Sequence, residues 1–347
     1  MTLRSFPVLN ALGVLDNPNL PRGDRATAAV DDRAIADAQA AGLCAINITL
    51  GEVAPGQALY EAAVRGIADW DALIARRADA LRGVRSAVDI DAAQAAGQVG
   101  VIYGFQNTEM LGDELARIDD FARRGVRVVQ LTYNGRNAVG DGATVADDRG
   151  LTDFGAAVLE RLQQQRLLVD LSHSSVRTCL DALRLARRPL AITHTGCRAL
   201  ADHPRNKRDD ELRLLAERGG VVGLYWMPYL RLQGQPMAAD LIAHLEHALQ
   251  VCGEDHVGLG TDGGASTIDD LPGYRTRLAD EIAQRRRLGI GAPGETADVS
   301  LFLPDLCGPQ QFQRLAERLA ARGHGEQRIE KILGGNFRRL LRDVWGG

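Results

Sequence analysis

The chain has 347 residues, 45% of them apolar, and its 41 basic residues stand against 45 acidic ones for a formal net charge of −4. That length suits one large α/β domain with an ample core, and the near balance of charge removes any electrostatic case for nucleic acid or an anionic membrane. No run approaches the roughly 18 uninterrupted apolar residues of a membrane span. The opening MTLRSFPVLNALGV has no long apolar run or small-residue cleavage site, and RRLLRDVWGG at the other end lacks a lipid-anchor tail. The five cysteines (Cys44, Cys179, Cys197, Cys252, Cys307) are odd in number and form no C-x-x-C pair, which argues against a disulfide scaffold or a thiolate zinc site. The expectation is a soluble, cytoplasmic, globular protein.

Short apolar runs recur along the chain, each followed by a longer stretch of helical period. The runs are Phe6–Leu9, Cys44–Leu50, Val99–Phe105, Val126–Thr132, Leu167–Leu171, Leu190–Thr193, Val221–Tyr225 and His256–Gly260. Amphipathic segments lie between them, among them Asp31–Ala41, Gly112–Arg124, Thr152–Gln165, Ser175–Arg187 and Arg208–Arg218. Several open on a capping residue and close on a basic residue or Gly. Alternating strands and helices imply parallel strands with crossover helices, and eight such units favour a closed (β/α)8 barrel over an open sheet. An open doubly wound sheet is the alternative, and no Gly-rich dinucleotide or phosphate loop supports it. The chain reads as one domain over residues 1–347. Within it, residues 263–347 form a mostly helical extension that includes Gln310–Arg322 and Glu326–Val344.

In such a barrel the residues leaving the strands form the active-site face. LLVDLSH ends in His173, PLAITH in His194 and HVGLGTD in Asp262. VIYGFQNTE delivers Gln106, with Glu109 a turn further on, and VVQLTYN delivers Tyr133 and Asn134. Two histidines and an aspartate at one barrel mouth suit a divalent metal and a carboxylate base. Each also has a plainer reading. A lone histidine after a strand is more often a hydrogen-bonded structural residue, Asp262 alone could cap a turn, and Tyr133 is by default a half-buried aromatic. His203, His244, His247, His256 and His324 read as loop or helix-surface residues, with His244 and His247 on an exposed helix.

At this point the sequence resembles the membrane (renal) dipeptidase family, a branch of the amidohydrolase-like metal barrels. The matching blocks are GVRVVQLTYN, GLTDFGAAVLERL, LLVDLSHSS, AITHTGCRALADHPRNKRDDELRLLAERGGVVGL, HVGLGTDGG and EKILGGNFRRLL. They come in family order. The DLSH…THT-x(3)-AL-x(3)-PRN-x(2)-DDEL stretch is the most specific. The resemblance implies two zinc ions bridged by a carboxylate and a hydroxide. The first ion would be held by a His-x-Asp leaving the first strand and an aspartate leaving the last, the second by two histidines. By motif, His173 and His194 match those histidines and Asp262 matches the last-strand aspartate. Arg205, in HPRN, matches an arginine that holds the substrate carboxylate, a task suited to a planar guanidinium.

The departures carry as much information. No histidine occurs before His173, so the His-x-Asp is missing. Aligning PVLNALGV with the family's start puts Leu12 and Val14 at the ligand positions, whereas aligning LDNPNLP puts Asn17 and Asn19 there. The first alignment is preferred because Val8 and Leu9 supply the strand. The bridging glutamate becomes Gln106, an amide that bridges two cations poorly, and Glu109 could replace it only if its loop bent inward. A substrate-orienting histidine becomes Tyr133, whose hydroxyl can still donate to an oxyanion.

The expectation is therefore a hydrolase with one divalent metal, zinc, bound by His173, His194 and a third oxygen donor from Gln106 or Asp262. Asp262 would accept a proton, Tyr133 would steady developing negative charge, and Arg205 would anchor a carboxylate. The partner would be a small-molecule amide or dipeptide-like substrate, with no nucleic acid and no membrane, and a homodimer is left open. The alternatives are a non-catalytic barrel that binds a small molecule or protein, and a different one-metal reaction such as deamination or lactone opening.

Overall fold

Parallel pairing carries the chain once around a barrel in the computed structural model, which describes residues 6–346 except 22 and 24. The first half runs β1 (Val8–Asn10), α1 (Asp32–Ala40), β2 (Leu43–Thr49), α2 (Leu59–Arg76), β3 (Leu81–Val84), α3 (Ala87–Ala95) and β4 (Val99–Phe105). It continues with α4 (Ala116–Arg124), β5 (Val126–Gln130), α5 (Asp153–Gln164), β6 (Leu168–Asp170), α6 (Val176–Leu185) and β7 (Ala191–Thr195). The remainder is α7 (Asp209–Glu217), β8 (Val221–Leu224), α8 (Ala238–Cys252), β9 (Val257–Leu259), α9 (Leu271–Arg287), α10 (Gln311–Ala321), α11 (Glu326–Glu330) and α12 (Asn336–Trp345).

Strand order is β1-β2-β4-β5-β6-β7-β8-β9, so the eight predicted runs make the barrel. β3 is an addition. It lies along Val99–Ile102 of β4, on the part of that strand that β5, paired at Tyr103–Phe105, leaves free. Its sequence LRGV is too short and too interrupted by Arg82 and Gly83 to stand out as an apolar run. The ring is nearly closed where β1 meets β9. The amide of Ala11 donates to the Leu259 carbonyl at 2.9 Å, that of Thr261 to Asn10 Oδ1 at 2.9 Å, and that of Asp262 to the Leu12 carbonyl at 3.0 Å.

Local chemistry sets the helix starts. Asp31 accepts the Ala34 amide at 2.9 Å, Thr152 that of Gly155 at 2.9 Å and Ser175 that of Thr178 at 3.1 Å, each offsetting a donor that the first helical turn leaves orphaned. Capping of α6 by Ser175 matters most here, because it fixes the turn that carries His173.

The last helix does more than cover the barrel. Phe337, Leu340, Leu341 and Val344 of α12 join Leu9, Val128, Leu168, Ala191 and Val221 in one buried cluster, which seals the barrel at the end away from the strand C-termini. Gly258 permits this: a Cβ there would lie 2.6 Å from the Phe337 ring. With one end sealed by apolar packing, chemistry is confined to the other.

Candidate functional site

The two histidines predicted to leave adjacent strands meet. His194 lies within β7, rather than after it, and His173 follows β6; both are buried, and their Nε2 atoms are 2.9 Å apart. Their outer nitrogens determine what those inner atoms can be. Asn134 Nδ2 donates to the Ile290 carbonyl at 2.8 Å, which turns Oδ1 towards His173 Nδ1 at 2.7 Å. A carboxamide oxygen only accepts, so His173 carries its proton on Nδ1. On the other side Thr193 Oγ1 donates to Asp170 Oδ2 at 2.6 Å and lies 2.9 Å from His194 Nδ1. Having given its hydrogen to Asp170 Oδ2, that hydroxyl accepts from His194 Nδ1. Both neutral rings then present bare Nε2 lone pairs to each other.

Asp170 is held by four donors: the amides of Ser172 and Thr193 and both their hydroxyls. Burial pushes its carboxyl upward, against these hydrogen bonds. Burial also holds both imidazoles well below the usual histidine range, and the charge of Arg205 adds to it. A proton is therefore a poor occupant of the space between the rings.

Arg205 is 1% exposed. Its Nη1 donates to the Ser172 carbonyl at 2.7 Å, and no carboxylate among the described residues pairs with it at ion-pair distance. A buried guanidinium in that state is costly unless an anion arrives. Lys207, also buried, donates to the Ser174 carbonyl at 2.6 Å and pairs with Glu211 at 3.2 Å, so its charge is already met.

Tyr133 stacks on His173, with centroids 4.1 Å apart and planes at 19°. Burial and the charge of Asp262 push its phenol up to about 12, so it stays protonated and able to donate. Asp262 is half-buried in a left-handed backbone conformation, φ 57°, unusual for a residue other than Gly, Asn or Asp. Burial pushes its carboxyl up to about 6, against the pull of Arg205 and Arg285.

The remaining expected ligands do not assemble. Gln106 Nε2 donates to Thr49 Oγ1 at 2.7 Å, leaving its amide oxygen as the group available to a ligand. Glu109 sits in a short 3-10 turn after β4, and burial pushes its carboxyl upward. The Leu12 carbonyl accepts the Asp262 amide at 3.0 Å, and Val14, Asp16 and Asn17 follow it along the same cavity wall as Asp262. Asn17 is tied to Asp31 at 2.8 Å and Asn19 to the Thr267 carbonyl at 2.9 Å. Among the described residues no three of His, Cys, Asp and Glu converge as a metal site. The two facing imidazole nitrogens are the donors here that suit a divalent ion.

Sequence reasoning missed the groups that orient the rings. Asp170 and Thr193 flank the histidines in LVDLSH and AITHT, and the alternation of polar with apolar residues there was the available signal. It also misplaced His244, which is 1% exposed and not on an exposed face. His244 Nδ1 accepts the Cys197 amide at 2.8 Å and Nε2 lies 3.0 Å from the Leu230 carbonyl, so it pins the loop after β7 against α8.

Comparison with known proteins shows the family and the fold. Residues 32–291 match the family model for membrane dipeptidase, peptidase family M19. An uncharacterised dipeptidase of Schizosaccharomyces pombe is 32% identical over 190 residues, 51% of this chain and 46% of that protein; the match thus spans about half the relative's length. A crystal structure of an amidohydrolase from Pseudomonas aeruginosa superimposes with a TM-score of 0.82 at 28% identity, over 99% of this chain and 97% of that one. A metallopeptidase from Rhodobacter sphaeroides, solved with a phosphinate mimic of the dipeptide L-Ala-D-Ala, shares the fold with a TM-score of 0.76 at 20% identity, over 99% of this chain and 100% of that one.

Proposed function

The chain belongs to the membrane dipeptidase family, peptidase family M19, and from that premise we propose that it is a one-metal hydrolase of small amides ending in a carboxylate. The observation that carries this reading is the facing pair of Nε2 atoms, two lone pairs 2.9 Å apart beside a buried arginine with no carboxylate partner among the described residues. His173 and His194 would hold the ion, zinc, and water would complete its coordination. When bound, the ion supplies Lewis acidity to the scissile carbonyl and makes water a better nucleophile at neutral pH. Arg205 binds the substrate carboxylate by a two-bond fork. Asp262 takes the proton from water and passes it to the leaving amine, and the Tyr133 hydroxyl donates to the carbonyl oxygen as negative charge gathers there.

The deciding measurement is metal content after dialysis against zinc. We expect one equivalent in the wild type and none in His194→Ala. Thr193→Val, which removes the acceptor for His194 Nδ1, should weaken zinc binding about 10–100-fold, and Thr193→Ser should restore it. Two equivalents would refute the one-metal reading, and no uptake would favour a small-molecule binder.

Arg205→Lys keeps the charge but loses the fork. It should raise KM about tenfold or more for carboxylate-ended substrates and leave amide-capped analogues almost unchanged. Equal KM values for wild type and variant would remove Arg205 from substrate binding.

A further inference from the structure

Arg205, His173 and His194 are buried, none of them more than 4% exposed. Helix α12 seals the far end of the barrel, so a substrate carboxylate reaches Arg205 only if part of the mouth moves aside. Residues 290–295, which follow α9, are tied to three of the loops at that mouth. The Ile290 carbonyl accepts from Asn134 Nδ2, in the loop after β5, at 2.8 Å. The Pro293 carbonyl accepts from His203 Nε2, in the loop after β7, at 3.0 Å. Glu295 accepts the Tyr229 hydroxyl, from the loop after β8, at 2.8 Å and Arg285 Nε of α9 at 3.2 Å.

Two of these partners lead directly to the site. Asn134 Oδ1 holds His173 Nδ1, and His203 Nδ1 accepts the Arg205 amide at 3.1 Å. The charge of Glu295 also reaches Tyr133, His203 and Tyr229, which puts it at the rim of the site. Every tie runs through a side chain: among the described residues no backbone–backbone hydrogen bond joins residues 290–295 to these loops. A segment without such a ladder opens more easily than a strand or helix. Gly289 and Gly294, at φ 68° and 77°, stand near its two ends, and a Cβ at either would meet nothing within 4 Å. Both are free to act as hinges.

Resting on the function proposed above for the role of Arg205, we propose that residues 290–295 are a gate over the site, latched by Glu295 to Tyr229 and Arg285. Shut, the gate fixes Asn134 and His203, and through them His173 and Arg205. Lifted, it admits the substrate. The latch is the strongest of the ties, because its acceptor is a carboxylate and one of its donors a guanidinium.

Diethyl pyrocarbonate, which acylates bare imidazole nitrogens, tests this on the metal-free protein, each histidine being read by mass spectrometry of its peptide. His173 and His194 present bare Nε2 atoms, so access limits their reaction. In the wild type both should react at least about tenfold more slowly than free histidine. Glu295→Ala, which removes the latch, should speed both about tenfold or more. Tyr229→Phe keeps the ring that stacks on His203 and loses one bond of the latch, so it should speed both several-fold. It also serves as the mild variant if Glu295→Ala does not fold. His244 is equally buried but clamped between Cys197 and Leu230, and its rate should stay unchanged in both variants. Wild-type rates equal to free histidine, or rates at His173 and His194 that neither variant alters, would overturn the gate. Equal acceleration at His244 would also overturn it, as a sign of general loosening. Zinc uptake is measured on the same samples. Gated labelling without zinc uptake leaves the gate standing and sinks the one-metal reading, and zinc uptake with ungated labelling does the reverse.

Discussion

Ordinary dipeptides should turn over slowly or not at all in zinc, manganese or cobalt, below the range of about 1–1,000 per second usual for enzymes. A second dication would need carboxylates, and the alignment of PVLNALGV puts Leu12 and Val14 at the strand-one ligand positions, with Gln106 in place of an acid. Short of histidine and bridging carboxylate, and repelled by the first ion and by Arg205, a second ion should not bind at ordinary zinc concentrations. Gln106→Glu alone should not restore turnover, because it adds one carboxylate and leaves the strand-one side apolar. A panel of dipeptides assayed with all three metals checks this. Turnover within the usual range would show that a full two-metal centre forms from other ligands of the chain.

Asp262→Asn should lower kcat by about 10²–10⁴-fold, the usual worth of a positioned base, without lowering thermal stability. The wild-type profile should fall on the acid side, because a protonated Asp262 cannot accept the proton. Its carboxyl is pushed up to about 6 by burial, and a cation on the histidines would pull it down, so the acid limb should lie at or below 6. The stability sign runs the other way. A carboxyl whose folded value exceeds its unfolded one favours the fold when protonated, and that contribution is lost as pH rises through about 6. Asparagine, neutral and tolerant of φ 57°, should therefore melt no lower than the wild type at pH 7. A profile without an acid limb, or an Asn variant with full activity, would exclude Asp262 as the base. Loss of activity together with a lower melting temperature would point to a structural role.

What the sequence determined by itself was the barrel and the identity of the polar residues at its mouth. Period-2 and buried apolar runs such as VVGL and VGVIYGF carry their signal locally, because a strand buried on both faces needs little more than that pattern. The motifs around His173, His194 and Asp262 were legible for the same reason, each being a few adjacent residues at a strand end, and HPRN around Arg205 is a compact loop motif. The missing ligands were legible as an absence of histidine.

The tertiary structure alone decided how those residues act on one another. That Asn134 fixes His173 depends on the Ile290 carbonyl, 156 positions away, holding its amide. That Asp170 orients His194 depends on the pairing of β6 with β7. His244 looked like a surface residue from its helix, and became a buried clamp only when α8 met the loop holding Cys197. Glu326–Val344 read as one helical stretch, yet Gly334 allows a break there: a Cβ would lie 2.8 Å from the Leu9 amide, and the close approach lets α12 turn beneath the barrel and seal it. Hydrogen-bond direction, desolvation and close approach are properties of pairs distant in sequence, and periodicity along the chain does not encode them.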